Sequence, residues 1–228
     1  MKISLPFAIK TGFVWVATLA LLGCGSGARA PDWQVDAKAS MERSVAAYMR
    51  GDSRAEAAEL QAARSQLSRT GRADLLATAE LLHCASRVAS LVFERCAGFE
   101  ALRGDATDAQ RAYADYLRGR LDPQRIALLP EAQRAAAMGD AKALQSGAEP
   151  LSQLVAAGVL LQTGKASPAI MAQAIDTASA QGWRRPLLAW LGAQALRAEL
   201  DGDAGEAARL RRRIAIAERD APAEKEKR

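Results

Sequence analysis

From residue 35 onward, apolar side chains recur at every third or fourth position. That spacing lays them along one face of an α-helix, and the strict alternation of a half-buried strand is missing. An all-α fold follows, built of about ten helices. The first carries Ala37, Met41, Val45 and Tyr48 and ends near Gly51. The second is expected to start at Ser53, because Ser53 and Glu56 have capping-box spacing, and to bury Ala57, Leu60, Ala63 and Leu67 before Gly71. The third, from Ala73 to about Val92, is apolar around most of its circumference and belongs in the middle of the fold. Its polar seam is Glu80, His83, Arg87 and Ser90. A helix with Ala112, Tyr113 and Tyr116 comes next. Residues 121–130 then hold Pro123 and Pro130, which interrupt helices and mark the best internal break. Further helices are separated by Gly139-Asp140, Gly147 to Pro150, Gly164 to Pro168, Gly182 and Gly202-Asp203. Ser167-Pro168 reads as a cap followed by proline at the first helical position, and the last helix buries Ala207, Leu210, Ile214 and Ala217.

The N-terminus follows a different pattern. Lys2 and Lys10 precede an apolar run from Thr11 to Leu22, and no acidic residue occurs before Asp32. Charge, then grease, then small residues is the order of a secretion signal. The run falls short of the roughly 20 apolar residues of a permanent span. Leu21-Leu22-Gly23-Cys24 resembles the lipobox of bacterial lipoproteins. The resemblance implies removal of residues 1–23 and a diacylglycerol thioether on Cys24 with acylation of its new amino group. Several acyl chains of the palmitate kind would then hold the protein firmly to a membrane. Gly25 stands where an aspartate would favour retention at the inner membrane, so the resemblance points to the outer membrane, facing the periplasm. Residues 24–34 read as a tether, 35–219 as the helical domain and 220–228 as a charged, disordered tail.

The turns Gly202-Asp203 to Ala207 and Gly104-Asp105 to Ala109 resemble the inter-helix turn of tetratricopeptide repeats, and Gly51-Asp52 to Ala57 is one residue longer. Glycine would end one helix and an acidic residue would cap the next. Gly104 to Gly139 spans 35 residues, near the ~34 of that family, but the other intervals are 53 and 63. The family's Trp-x-x-Leu-Gly-x-x-Tyr pattern is missing too. Degenerate, stacked antiparallel helix pairs of an α-solenoid kind are one reading, and a non-repetitive helical bundle is the other. Stacked pairs present surfaces that hold peptides or partner proteins.

Composition narrows the chemistry. Without the leader, 31 Lys and Arg less Lys2 and Lys10 stand against 26 Asp and Glu, a formal charge of +3. That charge is too mild and too interspersed for a nucleic-acid footprint. Arg209, Arg211, Arg212 and Arg213 form the sharpest basic cluster, suited to a solvated helix face or to anionic headgroups. Cys84 and Cys96 are the other cysteines, and in an exported protein paired thiols become disulfides. A bridge between them would pin Phe93 to Phe99 back onto the third helix. His83 is the only histidine, which argues against a transition-metal site, and no cofactor motif is present. Gly158 and Gly164 enclose five residues rather than the four of a phosphate loop, and Ala166 lacks its hydroxyl. Glu80 is the lone candidate general acid, set among apolar residues as in enzymes that cut cell-wall glycans.

The leading expectation is a lipid-anchored, non-catalytic helical scaffold that binds another envelope component. The rival is an envelope hydrolase or small-ligand binder using Glu80 and His83, which requires an open pocket at the polar seam.

Overall fold

The computed structural model describes residues 31–140, 144 and 149–219. Cys24 with its lipobox, and the tail at 220–228, lie outside them. Among the described residues every regular element is helical: α1 (Asp32–Arg50), α2 (Ser53–Ser68), α3 (Ala73–Ala89), α4 (Ala97–Glu100), α5 (Asp108–Leu117), a 3₁₀ segment (Pro123–Leu128), α6 (Glu131–Ala137), α7 (Pro150–Gln162), α8 (Pro168–Ala180), α9 (Arg184–Leu200) and α10 (Ala204–Glu218). Successive helices pack as neighbours, α1 on α2, α2 on α3, α6 on α7, α7 on α8, α8 on α9 and α9 on α10. The fold is thus all-α and built of stacked helix pairs. It adds contacts that a one-dimensional stack lacks, because α3 packs on α7 and α1 on α9. Residues 121–130 contain the 3₁₀ segment, which packs against both α5 and α6.

Local sequence explains most helix ends. Gly51 sits at φ 91° and Gly202 at φ 77°, a left-handed region where residues with a Cβ are penalised. Each is followed by an aspartate cap. Asp52 accepts from the Ala55 backbone N–H and Asp203 from that of Glu206, both at 2.9 Å. Ser167 likewise accepts from Ile170, with Pro168 in the first turn.

Three local expectations are corrected. The helix α2 does start at Ser53 and its cap is the acidic Asp52 of the glycine–acid turn, so the capping box expected of Ser53 and Glu56 is not formed. Ser53 Oγ instead accepts from Arg185 Nη2 at 2.8 Å. At α5 the cap is Thr107, in a reciprocal box with Gln110, and no acidic residue serves there. The first helix already includes Asp32 to Gln34, which the sequence assigns to the tether; Trp33 is drawn in by packing beside Ala37 and Met41.

The third helix is as central as its composition requires, with Ala77, Ala79, Leu81, Cys84, Ala85 and Val88 all buried. It stops at Ala89, short of Val92, because Leu91 turns left-handed at φ 61°, the one described non-glycine residue to do so. That turn reverses the chain so that Cys96 reaches Cys84. The two are disulfide-bonded with Cα atoms 5.9 Å apart, and the bridge pins α4 onto α3 as expected. In the chain-entropy model such a short loop contributes roughly 3 kcal/mol.

Two contacts close the fold across the sequence. The fully buried Trp190 donates its indole N–H to the Ala89 carbonyl at 3.0 Å, joining α9 to the end of α3. Arg185 donates to the Tyr48 carbonyl at 2.8 Å, with its guanidinium 4.4 Å from the Tyr48 ring centroid. Gly158 lets α7 approach α3, since a Cβ there would lie 2.5 Å from the Val88 carbonyl oxygen, a backbone atom. Gly158→Ala should therefore lower stability by about 1–2 kcal/mol, overpacking outweighing the gain in helix propensity. Gly192→Ala in α9, where nothing lies within 4 Å, should raise it by about 0.5–1 kcal/mol. Denaturant unfolding of the two variants checks the pair.

Candidate functional site

The polar seam of α3 is where the sequence places its only catalytic candidates. Glu80 is 4% exposed. Arg64 of α2 reaches it bidentately, Nε donating to Oε1 at 2.6 Å and Nη2 to Oε2 at 2.8 Å. Gly98 of α4 lies so close over the carboxylate that no Cβ would fit. The Cys84–Cys96 bridge holds α4 in that position, so the seam is lidded. Both carboxylate oxygens are engaged by a guanidinium in a covered site. That is the arrangement of a structural ion pair, with the carboxylate buried and the guanidinium partly exposed.

His83 extends the same fabric. Its Nδ1 lies 3.5 Å from Glu56 Oε1. Burial is the main cause that depresses the imidazole below its ordinary pKa, with Arg87 adding to it. Burial also raises the Glu56 carboxyl, against the pull of Arg87 and Arg185. Next to them Arg87 pairs with Glu94 and lies 5.6 Å from the Tyr48 ring centroid. These groups tie α1, α2, α3 and α9 together. Among the described residues no group of three His, Cys, Asp or Glu side chains could hold a metal ion.

The other side of α3 is open. A cavity of about 490 Å³ is lined by Leu81, Leu82, Ala109, Tyr113, Leu128, Leu129 and Pro130 with Thr78 and Gln110. A second, of about 190 Å³, is lined by Trp33, Ala37, Met41, Leu67, Leu75 and Ala79 with Gln34, Lys38, Thr78 and Leu82. Thr78 and Leu82 line both, so the two apolar cavities lie side by side on this face of α3, one toward the start of α1 and one toward the 3₁₀ segment. The larger falls within the roughly 300–1,000 Å³ of ligand pockets. The polar groups at its middle are bonded among themselves. Gln110 Nε2 donates to the Asp74 carbonyl at 2.7 Å and to Thr78 Oγ1 at 2.8 Å, and Thr78 Oγ1 donates to the same carbonyl at 3.0 Å. The Gln110 oxygen accepts from the Thr107 N–H.

Sequence reasoning missed this groove. Leu75 and Leu82 were legible as an apolar stripe, but nothing local said that no neighbouring helix would cover them. The available signal was the apolar circumference of α3, which offers more hydrophobic surface than its neighbours cover.

The basic cluster proves partly neutralised. Arg209 is bidentate to Glu206 at 2.6 Å for both bonds and holds that carboxyl below its usual range. Arg211 pairs with Glu199 of α9. Arg212 is exposed and has no ion-pair partner among the described residues. No described helix is long and apolar enough to cross a membrane. Comparison with protein-family models, curated proteins and solved structures finds no match to this chain.

The His83–Glu56 pair has a signature in acid. A depressed histidine pKa contributes stability that is complete above the unfolded value of 6.5 and is lost as pH falls below it. A raised glutamate pKa works the other way, its buried proton restoring stability as pH falls toward 4.5. Thermal midpoints measured from neutral pH downward should fall less steeply for His83→Gln than for the unaltered protein, and more steeply for Glu56→Gln.

Proposed function

We propose that the chain is a lipid-anchored, non-catalytic helical protein of the bacterial cell envelope. It is fixed through Cys24 to the outer membrane, with its helical domain in the periplasm, and it binds an envelope component in the groove along α3. Two features support the reading. The Leu21-Leu22-Gly23-Cys24 segment resembles a lipobox after a signal-like run. The observation that carries the binding half is the groove itself, an apolar surface left uncovered while the polar seam on the other side of the same helix is closed. Eight residues separate Cys24 from Trp33 in the sequence.

The pairing of Glu80 with Arg64 beneath Gly98, and of His83 with Glu56, supports a structural role for these residues over the hydrolase reading.

Intact-protein mass spectrometry of membrane-extracted protein should show cleavage before Cys24 and the added mass of acyl chains. Cys24→Ala should shed both the mass and the sedimentation with outer membranes. An unmodified Cys24 thiol on exported protein would dispose of the anchor. Glu80→Gln, assayed on purified cell-wall glycan, should behave as the unaltered protein does.

A further inference from the structure

We draw no further inference here: the strongest candidate, the pair of apolar cavities on the face of α3 around Thr78 and Leu82, belongs to the site already described, and nothing in the structure shows what covers it.

Discussion

The structure depends on the enclosure of one helix. Along α3 apolar residues occupy nearly the whole circumference, and such a segment has no face that water tolerates. The chain meets this by packing α1, α2, α4, α5 and α7 around it. Of these, α7 approaches so closely at Gly158 that a Cβ there would meet the Val88 carbonyl oxygen. The indole of Trp190 then satisfies the Ala89 carbonyl at the C-terminal end of α3, where a helix leaves carbonyls without intrahelical partners. Helices far apart in sequence are thereby held to a common centre, which is why the stack closes on itself through α3 with α7 and α1 with α9.

The two long sides of α3 have opposite fates, and one chain of cause connects them. Leu91 takes a left-handed turn, the turn lets Cys96 meet Cys84, and the bridge lays α4 with Gly98 across Glu80. A buried carboxylate needs a charge-assisted partner, and Arg64 supplies it from α2. The polar side is thus covered at Glu80 by α4, a disulfide and an ion pair. The short α4 cannot also cover the opposite side, and Thr78, Leu82 and Leu128 are left lining open space.

What was legible in the sequence was local. The left-handed glycines at 51 and 202, the Ser167-Pro168 start, the buried stripe of α3 and the pairing of Cys84 with Cys96 all depend on residues near one another in the chain. The placement of the α2 cap at Asp52 shows the limit even there. Asp52 and Ser53 are both good caps, and the choice was made by Gly51 together with a guanidinium from Arg185, 132 residues away. The partners of Trp190 and Arg185, and the pairing of Arg211 with Glu199 across a turn, could not be read because periodicity tells which face is apolar or charged, never which neighbour will meet it. The groove was hidden for the same reason. Leu75, Leu82 and Tyr113 have the spacing of core residues, and only the positions of other helices make them the walls of a cavity.

A site of this kind recognises by shape and by area rather than by hydrogen bonds. With Thr78 and Gln110 bonded to the Asp74 carbonyl, α3 and α5 are cross-braced at the middle of the groove, so its walls are set before anything enters. Preformed walls reduce the ordering cost of binding, and the favourable term is then the apolar surface removed from water, which grows with the length of the occupant. The same helix that had to be hidden from water to make the fold therefore leaves, on the strip its neighbours do not cover, an apolar surface whose walls are already set.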